Sequence, residues 1–455
     1  MAGEGGDEAV SNGNEAINVS DLEGQIIVGK YRLVQYLSGG AFGAVYRAAH
    51  LAHELELREV AVKIAKRPMT DAEARRVFCD ALVMARLADT APDIALRQHF
   101  VTVYDAGRCP EGGPLAGHPY VVMEWVSGGS LADCLRPGPF PLKRASEYFD
   151  QMLRALAFMH AGVPGAGGRQ EPLVHRDLKP GNILVHRTAE GRDVVKLTDF
   201  GLAVKVDTLL GWVSSGGDLA YLAPESFSHN ISSPQSDVYM LALVFYEMLT
   251  KQNPFRHVGV TVETEDEEQK CDELRRLHWD ARRHEDFPLL ESHPEIHRRP
   301  ALGLVIRRAL AADMNARPYK NAGELYEAWQ RAKAGEGPPP ESPWEVVQRL
   351  ANEAEQCFAM LNSAQGQALL DEAMQLNRDR SLVPARYIIG RTYRLAVERM
   401  IEVGQVQEAG RVAMEGYRCR RCQSTCKGLA QYYHAMNSPL AESLEKESLD
   451  CEDRE

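Results

Sequence analysis

Two short segments constrain this chain more tightly than any other part of it. One is His175-Arg176-Asp177-Leu178-Lys179-Pro180-Gly181-Asn182; the other, seventeen residues past Asn182, is Asp199-Phe200-Gly201. Between them, the apolar stretches 183–185 and 194–197 predict two short strands. A strand hairpin at that spacing gathers two carboxylates, one amide and one ammonium into a single neighbourhood. Carboxylate and amide oxygens suit a hard divalent cation, a carboxylate accepts a hydroxyl proton, and a lysine offsets migrating negative charge. That supply of groups fits metal–triphosphate chemistry.

Upstream, the run from Leu37 to Val45 (LSGGAFGAV) is a glycine-rich turn between predicted strands at Tyr31 to Leu37 and Ala44 to Ala48. Such a turn lets backbone amides approach phosphate oxygens without interference from Cβ atoms, and it serves equally as an ordinary hairpin. No Gly-Lys-Ser/Thr follows, so it is not a P-loop. Val60-Ala61-Val62-Lys63 sets one lysine among apolar strand residues. That lysine either finds a partner, as buried lysines do, or reaches water from a strand edge. Val77, Ala81, Met84 and Leu87 fall on one face of a helix predicted over 71–88, and Tyr120 to Trp125 reads as a further strand. Ala223-Pro224-Glu225 begins 24 residues after Asp199.

Taken in order, and with a late Asn315-Ala316-Arg317-Pro318, these segments resemble the eukaryotic-type (Hanks-type) Ser/Thr protein kinase family over about residues 31–333. The resemblance implies an α+β, bilobal fold, with a small β-rich lobe carrying one main helix and a larger helical lobe. It implies ATP and Mg²⁺, and transfer of the γ-phosphoryl group to a Ser or Thr hydroxyl of a protein substrate. Lys63 then holds the α- and β-phosphates, Asp177 orients the hydroxyl and accepts its proton, and Lys179 neutralises the γ-phosphate. Asn182 and Asp199 match the metal-ligand positions. Ser38, Gly39, Gly40 and Gly43 match the phosphate-covering loop. Val45, Ala61 and Leu184 enclose adenine, whose edge bonds to the backbone of Glu124 and Val126, with Met123 gating the pocket. Ordinary core packing explains these apolar residues nearly as well. Asp237 matches the acid that fixes the catalytic loop's backbone, and Glu225 and Arg317 resemble an ion pair of the large lobe. Arg176 implies an activation segment organised by phosphate. Thr208, Ser214 and Ser215 are the hydroxyl candidates, and each reads equally as a solvated loop residue.

Three positions depart from the family pattern. Ser38 replaces the first loop glycine. Asp80 stands where a glutamate partner of Lys63 is expected, one methylene and about 1.5 Å shorter. Asp218 stands where threonine is usual, placing a carboxylate near Asp177 unless it pairs elsewhere, for instance with Lys179. Asp80 and Asp218 motivate the alternative of a pseudokinase-like scaffold that binds nucleotide and acts through protein partners. Two insertions, at 162–172 and 257–294, read as surface segments; the second is long and charged and falls where the resemblance places a substrate-side helix, and each reads either as a tuner of partner choice or as a tolerated loop.

The whole chain has 455 residues, more than one core usually supports. Residues 1–28 are acidic and polar and are expected to be disordered. A kinase domain is expected over 29–333 and a Pro/Gly-rich linker over 334–343. A helical region over 344–437 weakly resembles tetratricopeptide repeats and suggests protein docking; an acidic tail covers 438–455. Cys419, Cys422, Cys426 and His434 read either as zinc ligands or as free thiols near basic residues. The balance of 64 acidic against 52 basic residues argues against a general nucleic-acid or anionic-membrane binder. No stretch is apolar enough for a membrane span. Nine cysteines without disulfide-like rhythm, and no secretory signal, point to the cytoplasm.

Overall fold

The computed structural model describes residues 19, 21–39, 43–77, 79–164, 170–199, 218–229, 232–259, 262, 266–283, 287, 290, 293–336, 341, 343–360, 362–376, 383–419, 423–436, 438 and 440–444. Gly40, Phe200, Gly201, Thr208, Ser214, Ser215 and Cys422 lie outside them, as do the side chains of Asp80 and Cys419. The chain divides into two units, Met1–Ala312 with Tyr319–Gly337, and Asp313–Pro318 with Pro338–Glu455.

The first unit begins with strands β1 (Ile26–Ile27), β2 (Tyr31–Gly39), β3 (Gly43–Ala52), β4 (Leu55–Ala65), β5 (Val103–Arg108) and β6 (Pro119–Glu124). They form one antiparallel sheet in the order β1-β2-β3-β4-β6-β5. Strand alternation sends successive side chains to opposite faces. Val60, Val62 and Ile64 of β4 join Tyr46, Leu33 and Val122 in one apolar cluster. Ala61 and Ala65, from the intervening positions, join Val121, Met123 and Met84 in another. Lys63 shares the parity of Ala61 and Ala65, so the sheet itself aims it at that second face.

The expectation of disorder over residues 1–28 is corrected at its end. Val19, Leu22 and Ile27 are buried on the first face of the sheet. The Tyr46 hydroxyl donates to the Val19 carbonyl at 2.9 Å and accepts from the Leu22 amide at 3.1 Å. Three apolar side chains and one buried phenol suffice to order this short stretch despite its polar composition.

Gly43 opens β3 for a packing reason. A Cβ there would fall well inside contact distance of the Ile64 backbone carbonyl. Gly43→Ala is therefore expected to push β3 off β4 and to destabilise the chain by about 1–3 kcal/mol. A lowered urea midpoint at unchanged slope checks it.

Among the described residues, the helices of this unit are α1 (Asp71–Val77), α2 (Cys79–Thr90), α3 (Ile94–Arg97), α4 (Leu131–Leu135), α5 (Leu142–Ala161), α6 (Pro224–His229), α7 (Pro234–Thr250), α8 (Glu267–Arg283), α9 (Pro294–His297), α10 (Pro300–Ala309) and α11 (Ala322–Lys333). Two further hairpins pair β7 (Val163–Pro164) with β8 (Gln170–Glu171), and β9 (Ile183–Arg187) with β10 (Asp193–Leu197). α7 is apolar almost all round, as an interior helix must be. It starts at a capping box between Ser233 and Ser236, with Pro234 at its first position, and closes on Lys251 in the left-handed conformation. Phe149 of α5, Phe245 of α7 and Trp329 of α11 pack ring against ring at the centre of this helical part.

The second unit contains α12 (Pro343–Ala359), α13 (Ser363–Leu376), α14 (Val383–Glu402), α15 (Val406–Cys419) and α16 (Gln423–Ala435). Gly416 of α15 lies against the Tyr393 ring of α14, where a Cβ would meet it at 2.7 Å. Of the proposed zinc donors, Cys426 is buried and His434 exposed. No group of three or more His, Cys, Asp or Glu able to hold a metal occurs among the described residues. Beyond α16, Ala441 is buried within a helical turn over 440–444, inside the stretch expected to be a solvated tail.

Candidate active site

The β9–β10 hairpin does what its spacing predicts. Ile183 pairs with Leu197, so the hairpin closes directly between Asn182 and the residues leading to Asp199. The Thr198 amide donates to the Asn182 carbonyl at 3.2 Å. Asp199 takes a left-handed backbone, φ +59°, which aspartate tolerates better than most residues. From there its carboxylate meets Lys63, whose Nζ donates to Oδ1 at 2.7 Å. The two residues are 136 positions apart, and it is the parity of β4 that brings them together.

Asp177 sits beside them. Lys179 Nζ donates to its Oδ2 at 3.0 Å, and Asn182 Nδ2 donates to the same oxygen at 2.7 Å and to the Asp177 carbonyl at 2.9 Å. Burial pushes the Asp177 carboxyl up to about 6, against the pull of Lys179 and Asn182 and with the Asp199 charge adding to the rise. The Lys63 ammonium holds the Asp199 carboxyl below the usual carboxylate range, with burial opposing and Lys179 assisting. The two neighbouring carboxyls are thus pushed in opposite directions, Asp177 up and Asp199 down.

The turn bearing Asp177 is fixed from beneath. Asp237 of α7 is fully buried, and its carboxylate accepts from the His175 amide at 2.6 Å and the Arg176 amide at 2.9 Å. It also accepts from His160 Nε2 at 3.0 Å. The Ala322 amide donates to His160 Nδ1 at 3.0 Å, which settles the ring's tautomer: the proton on Nε2 is the one given to Asp237. Arg176 is held at φ +69°, a conformation that costs a non-glycine residue about 1–3 kcal/mol unless its surroundings impose it.

The other predicted site residues are placed as follows. Ser38 and Gly39 end β2 opposite Val45 and Ala44, and Gly43 opens β3. Val45 is the strand partner of Lys63, and Ala61 that of Met123. Ala61, Met123 and Val126 belong to one buried cluster, with Leu184 packed against it. Val60 pairs with Glu124 at the end of β6. Gly40 lies outside the described residues.

Two features escaped the sequence reading. Lys196 of β10 is buried and reaches Glu124 Oε2 at 3.0 Å. Glu124 Oε2 also accepts from the Thr102 amide at 3.3 Å, and the Glu124 amide donates to the Thr102 carbonyl at 2.8 Å. This pair ties the residue expected at the adenine edge to the strand that leads to Asp199. A lysine inside the apolar run 194–197 was the available signal, the same one that singled out Lys63. The other is Arg256, which pairs with Asp218 at 3.7 Å. The Asp218 Oδ1 atom also accepts from the Ala220 amide at 3.1 Å. Asp218 thus finds its cation in Arg256, just before the first residue of the 257–294 insertion.

The donor set fits a hard divalent cation. Asn182 spends both amide hydrogens on Asp177, leaving its carbonyl oxygen as a ligand atom, and Asp199 gives one oxygen to Lys63 and retains the other. Two protein oxygens are what a cation shared with phosphate groups requires.

A protein kinase domain model matches residues 31–327. The chain is 31% identical over 346 residues to the serine/threonine-protein kinase PknB of Mycobacterium tuberculosis, covering 74% of this chain and 47% of that protein. It is 31% identical over 322 residues to PknB of Mycobacterium leprae, covering 69% and 44%. Against the serine/threonine-protein kinase PknA of Mycobacterium tuberculosis it is 36% identical over 248 residues, covering 53% and 51%. The chain spans about half the length of the curated relatives it matches.

Proposed function

The chain belongs to the protein kinase family, with that family's bilobal fold, and from this premise we propose that it transfers the γ-phosphoryl group of ATP to Ser or Thr hydroxyls of proteins. The observation that carries the proposal is the meeting of two clusters, Lys63 with Asp199 at 2.7 Å and Asp177 with Lys179 and Asn182 at 2.7 to 3.0 Å, joined by the Thr198 amide on the Asn182 carbonyl at 3.2 Å.

Catalysis of this kind is mostly positioning and charge neutralisation. Lys63 steadies the α- and β-phosphates. Asp177 orients the acceptor hydroxyl and takes its proton, a role that suits a carboxyl raised by burial. Lys179, already beside Asp177, neutralises charge developing on the transferred group. Asn182 and Asp199 would hold a divalent cation, Mg²⁺ being the natural choice, which when bound offsets the triphosphate charge. Ser38, Gly39, Gly40 and Gly43 cover the phosphates. Val45, Ala61 and Leu184 enclose adenine, and the backbone of Glu124 and Val126 meets its edge. The Arg176 Nε atom is buried without a hydrogen-bond partner among the described residues, which suits a role in receiving an activation-segment phosphate.

We assign the kinase domain to residues 29–333, a linker to 334–343 and a protein-docking role to the helices of 344–437. No helix among the described residues is long and apolar enough to cross a membrane. A cytoplasmic location is our reading, supported by nine cysteines spaced without a disulfide-like rhythm. The scaffold alternative loses part of its motive, because Asp218 is paired with Arg256 and is not left to repel Asp177.

The test is mass spectrometry after incubation with MgATP and a generic basic protein. Phosphoserine or phosphothreonine is expected with the wild-type chain and at least about 10³-fold less with Asp177→Asn, the scale on which such groups act. Equal signal from both would refute the assignment.

A further inference from the structure

The match to the kinase family begins at residue 31, yet the chain is already seated on the sheet from Val19 onward. Val19, Leu22 and Ile27 supply the apolar contacts of this stretch. A second set of contacts is polar and runs along the outer edge of β2. The Gly24 amide donates to the Leu33 carbonyl at 2.8 Å, and the Leu33 amide donates to the Gln25 carbonyl at 2.8 Å. Three residues further on, the Tyr36 amide donates to Glu23 Oε1 at 2.8 Å. β1 pairs with β2 only at Tyr31 and Arg32, so these bonds continue along β2 the edge pairing that β1 starts.

They fall where β2 is least regular. Its pairing with β3 shifts register twice, between Leu33 and Gln35 and between Tyr36 and Ser38. Such irregularities disrupt the ladder and bend the strand, so the residues between them need support from elsewhere. Glu23 supplies it at the backbone of Tyr36. Tyr46 supplies it at the side chain: it is the strand partner of Tyr36, and the two rings meet edge to face with centroids 5.5 Å apart. Tyr46 is itself tied to the N-terminal stretch by its bonds to Val19 and Leu22. The Tyr36 hydroxyl lies directly against Gly39, where any Cβ would collide with it. An unbroken path of contact therefore runs from residues 19–25 through Tyr46 and Tyr36 to Gly39, the last residue of β2.

We propose that residues 19–25 are a strap that positions Ser38 and Gly39, acting through Glu23 and Tyr46 as positioning residues, and that the strap thereby sets how tightly the chain holds the phosphates of a nucleotide. The inference rests on the kinase reading above, which places Ser38 and Gly39 over those phosphates. The effect is confined to the phosphate end. Among the described residues, the hydrogen bonds from 19–25 to the sheet go to Leu33, Tyr36 and Tyr46, and none reaches β4 or β6, which carry Ala61 and Glu124.

The experiment compares the full chain with Tyr46→Phe, Glu23→Ala, Glu23→Gln and a control, Lys30→Ala. Phenylalanine keeps the ring against Tyr36 and drops both bonds to the strap. Glu23→Ala drops the bond to the Tyr36 amide, and glutamine, whose side-chain oxygen still accepts from an N–H, restores it. Lys30 is exposed in the turn between β1 and β2. Amide hydrogen exchange is read at Leu37, Ser38 and Gly39 by subtraction of overlapping peptides, so that the lost Tyr36 bond is not itself counted. Calorimetry reads the affinities for MgATP and for adenosine, which has no phosphates. Tyr46→Phe and Glu23→Ala are expected to speed exchange at 37–39 and to weaken MgATP binding about 3- to 10-fold, the scale of one lost hydrogen bond. Adenosine affinity should stay within about twofold. Glu23→Gln and Lys30→Ala should match wild type in all three measurements. A strap that only covers apolar surface would lower the melting temperature without separating the two affinities. Glu23 is exposed, so its alanine variant supplies the result if Tyr46→Phe fails to fold. Unchanged exchange at 37–39 in Glu23→Ala, or adenosine affinity falling in step with that of MgATP, would overturn the proposal. A wild-type chain that binds neither ligand would refute the nucleotide reading, and the exchange comparison would still decide whether the strap holds the end of β2.

Discussion

Replacing Asp199 with Ala is expected to reduce phosphoryl transfer by at least about 10³-fold, the effect of removing a group that gathers charge at a reacting phosphate. Under the proposed function, Asp199 has two tasks in this site. One carboxylate oxygen receives Lys63 at 2.7 Å, and the other is left to a cation. Alanine abolishes both, and it also sits less comfortably at φ +59°. Asp199→Asn separates these effects, since asparagine tolerates the left-handed backbone and keeps the shape while losing the charge. It should fold like wild type and still lose transfer. A steady-state assay beside a thermal melt reads both quantities. Activity retained in Asp199→Asn would show that charge at this position is not what the chemistry uses.

Asp237→Ala is expected to damage stability and activity together. Its carboxylate satisfies three buried donors, the amides of His175 and Arg176 and the Nε2 proton of His160. Each buried donor left unsatisfied costs about 1–3 kcal/mol. Simple addition gives about 3–9 kcal/mol, and the lower part of that range, about 3–5 kcal/mol, is the scale seen when a buried charged partner is removed. That is a large share of the roughly 5–15 kcal/mol by which a folded chain is stable. Asp237→Asn is expected to do little better. The two carboxylate oxygens face three donors, and an amide would turn its own N–H groups against one of them. A fall in melting temperature of about 10 °C, with transfer by the remaining folded protein also reduced, is the expected result. A near-normal melt would mean that the catalytic turn is held by something other than Asp237.

The residues that carry the proposed chemistry were legible because each lies in a short segment whose composition has few other uses. Asp177, Lys179 and Asn182 fall within six residues of one another, and a strand hairpin is the only element short enough to lead on to Asp199. Lys63 stood out as a charge in an apolar strand. Lys196 is the same signal in β10 and was overlooked, because its partner Glu124 is 72 residues upstream and nothing local points to it. The strand at Val103–Arg108 was missed because none of its residues is buried and its order comes from pairing with β6.

Helix α8 shows how composition misleads. Its charge density favoured a tolerated surface loop over the helix that the family resemblance places there, yet Cys271, Leu274, His278 and Arg282 recur at spacings of three, four and four, one face of a helix. A histidine and an arginine are not counted as core residues, so the stripe was invisible to a count of apolar positions. Similarly, the N-terminal stretch has the average composition of a disordered tail, but Val19, Leu22 and Ile27 find a seat on the sheet through the single phenol of Tyr46. Averages over a window conceal three well-spaced apolar residues that a tertiary partner can use.

The central claim, that Lys63, Asp199, Asp177, Lys179 and Asn182 share one metal-bound triphosphate, is tested most directly by calorimetric titration of ATP into the chain with Mg²⁺ and with a chelator in its place. Wild-type protein should bind ATP markedly more tightly when Mg²⁺ is present, and Asp199→Asn should lose that difference while retaining its fold. The same Mg²⁺ dependence in wild type and variant, or none in either, would contradict it.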